Sequence, residues 1–287
     1  MNRLLLLLAL IAWGASATAQ RQVATFDDGT EIEYEVASDN AEDLKSTWLS
    51  WGGTANGSLH GIGIDHWLPG QAKLEFSGSI LGTSVLSPDE DSLYVDGTKP
   101  ASRPWRLRGH VVLNSKTKTK PNKISLKSVA SGANERTVYV TEYDLPRTTY
   151  YCLHGGVGYQ NRPEVYSGVS YGEIAIGASL MRARNLDLQL YTGGKSGAKR
   201  QRGSSFMEVY ADLLLFTNPG PYIQTDADEL AMDGIEARSL GLEVAWRGMT
   251  TVGAGAGFGL FAKLGAGVGP YTPYVVGGFG FMFGLAE

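Results

Sequence analysis

The sequence predicts an all-β chain made of antiparallel, amphipathic strands. Three observations lead there. Apolar residues recur at every second position through most of the chain, compact turn sequences separate these runs, and no run carries a helical period.

The first residues stand apart. Met1-Asn2-Arg3 precedes an apolar run from Leu4 to Trp13, too short for a membrane helix of about 20 residues. Ala17-Thr18-Ala19 supplies the small-x-small pattern that a signal peptidase cuts, so residues 1–19 read as a signal peptide removed before Gln20. Gln20, where a lipoprotein would carry a cysteine, stands directly after the cut, so no lipid anchor is indicated. Next comes a hairpin signal, Asp27-Asp28-Gly29-Thr30, between Val23–Phe26 and Glu31–Val36. The segment 20–43 is polar on both sides and reads as a hairpin preceding the main body at 44–287.

That body alternates. Leu74, Phe76 and Ile80 alternate with Lys73, Glu75 and Ser77, and Trp105, Leu107 and Val111 with Arg106, Arg108 and His110. Ile174, Ile176 and Leu180 alternate with Glu173, Gly177 and Ser179. Met207, Val209, Leu213 and Leu215 oppose Glu208, Tyr210 and Asp212. Leu242, Val244 and Trp246 oppose Glu243 and Arg247. Leu260, Leu264 and Val268 oppose Lys263 and a row of glycines, and Phe279, Phe281 and Phe283 oppose Gly278 and Gly280. Further strands read near 44–52, 57–67, 122–129, 135–144, 148–160 and 185–192. Lys120-Pro121-Asn122-Lys123, Asp144-Leu145-Pro146-Arg147 and Gly269-Pro270 punctuate them as turns.

Composition narrows the class. The 25 basic residues against 29 acidic ones make a mildly acidic chain, which argues against nucleic acid as a partner. Cys152 is the single cysteine, so neither an internal disulfide nor a cysteine metal site can form. After residue 19 no apolar run is long enough for a membrane helix, a test that strands escape because only alternate residues are apolar.

Short alternating strands also describe a soluble sandwich. Several of these runs exceed the usual soluble length of about 5–6 residues and suit a tilted membrane strand of roughly 9–11. The polar face of the last strands is glycine with isolated charges, as a barrel interior is. The expected architecture is an antiparallel up-and-down transmembrane β-barrel of about 12 strands. Thirteen segments alternate and single-chain bacterial barrels have even counts, so one segment is misread, with the pair around Arg182-Ala183-Arg184-Asn185 a candidate for one long excursion beyond the membrane. The alternative is an eight-strand barrel starting near 135, preceded by a soluble β-domain.

The leader, the glycine-rich amphipathic strands and the terminal alternation of Phe279, Phe281 and Phe283 resemble a bacterial outer-membrane β-barrel protein. The likeness is one of class and covers about 44–287. It implies insertion through the barrel-insertion machinery, contact with outer-membrane lipid, and a periplasmic place for the hairpin at 20–43. The chain departs from the class in its last residues, Leu285-Ala286-Glu287, where a terminal aromatic is usual.

Five charges fall on the polar face of neighbouring late strands: Glu208, Asp212, Glu243, Arg247 and Lys263. The plain reading is an internal ion-pair network, since buried charges must be paired. The sharper one is a substrate or proton site. His110 and His154 share the polar face, but no G-x-S-x-G or similar signature accompanies them. Lys116, Lys118, Lys120 and Lys123 surround the turn at 120–123, either as a solvated hairpin tip or as contacts for anionic lipid. Lys199, Arg200 and Arg202 allow the same two readings. Asp226, Asp228, Glu229, Asp233 and Glu236 match no calcium-loop spacing and read as a hydrated loop.

No metal, cofactor or catalytic residue is expected. The expected function is that of a non-enzymatic barrel, a structural or accessory component of an envelope assembly with other envelope proteins as partners. A small-solute pore is the alternative, and a lipid-modifying enzyme the second. In an up-and-down barrel the basic connection at 193–204 and the acidic one at 217–236 fall on opposite sides, the latter on the side of Gly269-Pro270.

Overall fold

The computed structural model describes residues 21–43, 47–54, 58–68, 72–84, 105–130, 136–163, 167–191, 198–219, 223–224, 237–251, 257–271 and 273–284. The signal-peptide segment, the acidic stretch from Asp226 to Glu236, Lys195 and the last three residues lie outside them.

The chain is all-β and antiparallel. Its strands are β1 (Arg21–Thr25), β2 (Glu31–Ser38), β3 (Thr47–Thr54), β4 (Ser58–Leu68), β5 (Ala72–Ser84), β6 (Trp105–Ala130), β7 (Arg136–Pro163) and β8 (Ser167–Arg184). There follow β9 (Asp187–Tyr191), β10 (Ala198–Arg202), β11 (Ser205–Thr217), β12 (Ile223–Gln224), β13 (Leu240–Thr251), β14 (Phe258–Val268) and β15 (Pro273–Gly284). One 3-10 turn, Ala41–Asp43, is the helical element among the described residues, and no helix is long and apolar enough to cross a membrane.

Two sheets form. In the larger, pairing runs β3-β4-β5-β6-β7-β8 in chain order. β8 then pairs with β11 from Ser205↔Arg184 to Thr217↔Gly172, and β11, β13, β14 and β15 follow in turn. β15 pairs with β3, from Gly278↔Thr54 to Gly284↔Trp48. Each of these ten strands thus has a partner on both edges. β12 adds a short pairing to the far end of β8. The smaller sheet has the order β1-β2-β9-β10.

The ring holds ten strands, not the expected twelve or so, and three of the thirteen alternating segments explain the difference. The turns expected at 120–123 and 144–147 do not form. β6 and β7 run straight through them, paired from Trp105↔Tyr159 to Ala130↔Arg136. The segment 122–129 is therefore the continuation of β6, and 135–144 is the beginning of β7. The prolines fit because those stretches have an open edge: β6 meets β5 only as far as Val111, and β7 meets β8 only from Thr148. A proline lacking its N–H is tolerated where no second neighbour asks for it. The third segment, 185–192, is β9 of the small sheet. The eight-strand alternative fails as well, because β3 to β6 belong to the ring.

The protruding ribbon of β6 and β7 packs on the small sheet. Ile124, Leu126 and Leu145 from the ribbon bury together with Ile32, Tyr34, Leu186, Leu188 and Leu190, and Phe26 and Tyr139 close the edge of this core. The hairpin at 20–43 is thus not a free-standing segment; it is sealed by an insertion between β8 and β11. Polar contacts complete the seam. Tyr139 donates to Asp28 Oδ2 at 2.7 Å, and Tyr143 donates to Asp39 Oδ2 at 2.6 Å.

Alternation in the ring is clean. Along β8, Tyr171, Glu173, Ala175, Ser179, Met181 and Ala183 are buried, while Ile174 and Ile176 are exposed, Ile176 to 67%. On β11, β13 and β15 the exposed side chains include Val209, Leu213, Leu242, Val244, Trp246, Phe281 and Phe283, and Phe279 at 69%. Glu173, Glu208 and Glu243 face inward while Phe279, Phe281 and Phe283 face outward, the reverse of a water-soluble sheet. The connections also sort. The small sheet and the close of β15 lie at one end of the ring, and Gly269-Pro270 and the 218–239 connection at the other, which places the latter opposite 198–204.

Leu145 is 1% exposed at the centre of the ribbon–sheet core. Leu145→Ala is expected to cost that core about 2–5 kcal/mol. Amide exchange should rise in β1, β2, β9 and β10 while β13 and β14 keep their protection. A second outcome concerns pH. The Thr30 backbone N–H, then the Tyr139 hydroxyl, hold the Asp28 carboxyl below its ordinary value. The contribution is therefore present above about pH 4 and is lost as pH falls through the depressed value. Exchange protection at Thr30 should fall on acidification and do so less in Asp28→Asn.

Candidate functional site

The interior of the ring is a charged layer between two apolar ones. At the end next to the small sheet, Tyr150, Cys152, Met181, Ala183, Phe206, Met249 and Met282 pack with Ala41 of the 3-10 turn. At the other end Tyr171, Ala175, Leu214 and Phe216 form a second cluster, with Tyr274 against it.

Between them lie Arg106, Arg108, Arg247 and Lys263 against Glu173, Glu208, Asp212 and Glu243, with His110 and His154. Period two aims each of these side chains inward, and ring closure brings distant strands face to face. Glu243, 0% exposed, is the hub. It accepts hydrogen bonds from Arg106 Nη1 at 2.7 Å, Tyr210 at 2.7 Å and Tyr274 at 2.8 Å. Arg108 Nη2 approaches it at 3.4 Å. Arg106 grips Glu173 with two nitrogens, one of them 2.9 Å from Oε2, and Gln160 adds a bond to the same carboxylate at 3.3 Å.

A second group surrounds Asp212, which takes Arg108 on one oxygen and His154 Nε2 on the other. Arg247 pairs with Glu208, whose Oε1 lies 3.5 Å from His110 Nδ1. The imidazoles of His110 and His154 lie against each other, tilted by 41° with centroids 4.8 Å apart. The Tyr210 ring carries Arg108 at 4.6 Å and Lys263 at 5.5 Å, a cation on an aromatic face in each case. Gly177 makes room for the Asp212–His154 contact: a Cβ there would sit 2.7 Å from His154 Nε2 and closer still to Asp212.

All five charges predicted from sequence thus meet in one layer. Sequence reasoning left out of that cluster Arg106, Arg108, Glu173, Tyr210 and Tyr274. Their signal was present, since they sit on the polar phase of their strands. Their partners are not readable from it, because Arg106 and Glu243 are 137 residues apart in the chain.

Among the described residues, Ser179 and His154 are the nearest approach to a nucleophile and its base. Ser179 is buried near His154, yet neither the Ser179 Oγ nor the His154 Nδ1 has a hydrogen-bond partner, so the two do not meet. Among the described residues, no group of three or more His, Cys, Asp or Glu side chains is arranged to hold a metal ion.

The basic candidates fall elsewhere. Lys116, Lys118, Lys120 and Lys123 are exposed along the ribbon of β6, not around a turn. Arg200 and Arg202 of β10 both clasp Asp187, at 2.5 and 3.1 Å, which ties them into the small sheet. No protein-family model, curated protein or solved structure matches this chain.

Glu243→Ala removes the hub, leaves Arg106 with Glu173 alone and Arg108 with Asp212 alone, and takes one negative charge from a buried layer. A loss of about 3–5 kcal/mol is expected. The shift of the urea-unfolding midpoint measures it, and an unchanged midpoint would mean that these ion pairs do not fasten the ring.

Proposed function

We propose that this chain is an outer-membrane β-barrel whose interior is sealed, acting as a non-conducting structural or accessory component of an envelope assembly. The observation that carries the reading is the inversion of the ring, with lipid-compatible side chains outside and a paired ionic layer inside. A membrane strand needs its backbone groups paired, and the ten strands of the ring, each with a neighbour on both sides, support that reading.

The outer surface supports the membrane placement further. Trp105 and Tyr159 are cross-strand neighbours at one end of the apolar belt. Tyr151, Trp246 and the paired Phe258 and Phe283 lie toward the other. Aromatic girdles flank the apolar band of such barrels. From Tyr151 to Tyr159 a strand rising roughly 3.3 Å per residue and tilted by about 40° climbs about 20 Å, close to a hydrocarbon band of about 25 Å.

The sealed interior favours the structural role over the pore. Two apolar layers bracket the ionic one, and the ionic one is held by bonds across the interior rather than lining an open path. The end bearing the small sheet faces the periplasm, and the opposite end, from which the 85–104 and 218–239 connections leave, faces outward. The β1-β2-β9-β10 sheet and its ribbon are then a periplasmic module held rigidly to the barrel and available to other envelope proteins.

Reconstituted alone in planar bilayers, the full chain should give no step-like currents. Regular steps without a partner would favour the solute pore instead.

A further inference from the structure

The ring carries a second group of charges, on its outside. Just beyond Tyr151 and Leu180, at the end next to the small sheet, the outward positions of three adjacent strands turn basic. Lys116 of β6 pairs with Thr149 of β7, which pairs with Arg182 of β8. One step further, Lys118 pairs with Arg147, and Arg184 follows on β8. Alternation puts these five on the face that bears Tyr151, Leu180 and Ile176, since Thr148, Tyr150, Met181 and Ala183 are buried between them.

Among the described residues this collar has no counter-charges. The Arg147 and Arg184 guanidiniums repel one another. Arg184 Nε is held by the Ser205 hydroxyl at 2.7 Å, a neutral partner. Arg147 Nε is buried with no hydrogen-bond partner at all. The contrast with the interior is direct: there every guanidinium has a carboxylate, whereas here two half-buried guanidiniums share a corner with none. Such a corner costs free energy unless an anion fills it.

We infer that Arg147, Arg184 and Arg182, with Lys116 and Lys118 beside them, bind the phosphate of an anionic phospholipid in the leaflet that meets this end of the apolar belt. Its place selects the ligand. The collar lies on the lipid-facing side, directly past the aromatic band, at the depth where headgroups sit. The guanidiniums present fork-shaped donors to phosphate oxygens, and the acyl chains can lie along Tyr151, Leu153, Leu180 and Ile176. This inference rests on the barrel reading.

The test reconstitutes the full chain in phosphatidylcholine vesicles carrying either spin-labelled phosphatidylglycerol or spin-labelled phosphatidylcholine. The immobilised fraction of each label is then compared. Phosphatidylglycerol should be retained preferentially, with about a five-fold loss of preference for each guanidinium removed in Arg147→Gln, Arg182→Gln and Arg184→Gln. Arg147→Lys should retain part of the preference through charge alone. Where a glutamine variant of a half-buried arginine fails to insert, Lys116→Gln with Lys118→Gln, both exposed, is expected to lower the preference. Equal retention of the two lipids, or glutamine variants that keep the full preference, would overturn the inference and leave the barrel standing. Displacement by inorganic phosphate, but not by chloride of equal ionic strength, would mark a free-phosphate site and overturn the lipid assignment. A chain that does not enter the vesicles overturns the barrel reading and this one with it.

Discussion

The bonds that Arg106 and Arg108 make across the interior to Glu243 and Asp212 are the interaction on which the rest depends. Arg106 belongs to β6 and Glu243 to β13, with β7, β8 and β11 between them around the ring. A charge facing inward has no bulk water to solvate it, so it must find an opposite charge on another wall. That demand constrains the strand count, since a wider ring would hold these walls apart. It also constrains the register: slipping any of these strands by one residue would turn its charges out toward the apolar surface and its leucines in.

Small and aromatic side chains make the charged layer possible. Glu243 is saturated by a guanidinium and two phenols, so its cost of burial is offset by directed bonds as well as by charge. Gly177 leaves the space into which His154 and Asp212 close. The apolar clusters above and below lower the local dielectric, which strengthens the ionic bonds and raises the cost of losing any one of them.

The small sheet solves a different problem. A two-stranded ribbon projecting from a ring is marginal by itself in water. Here the ribbon of β6 and β7 gains a partner sheet assembled from the first strands of the chain and from the loop between β8 and β11. Leu145, Ile124, Leu188 and Tyr34, drawn from four separate stretches, make one core. The ring and the module then share β6 and β7, so a force acting on the module is transmitted through continuous strands rather than through a linker.

The all-β class, the phase of each strand and the inward set Glu208, Asp212, Glu243, Arg247 and Lys263 were determined by the sequence itself, because a two-residue period is a local property. Local too was the outward-facing set of Leu242, Val244, Trp246, Phe281 and Phe283. The turns at 120–123 and 144–147 misled because proline marks a break only where a strand has neighbours on both edges, and edge status is not local. Whether 185–192 enters the ring or leaves it depends on β2, some 150 residues earlier, offering an edge to β9. The same holds for Arg106 and Glu243. Each announces an inward charge, but only closure of the ring decides which charge lies opposite. Tertiary structure alone also set Arg147 beside Arg184 with no carboxylate between them, since that corner is assembled by strand register and not by spacing along the chain.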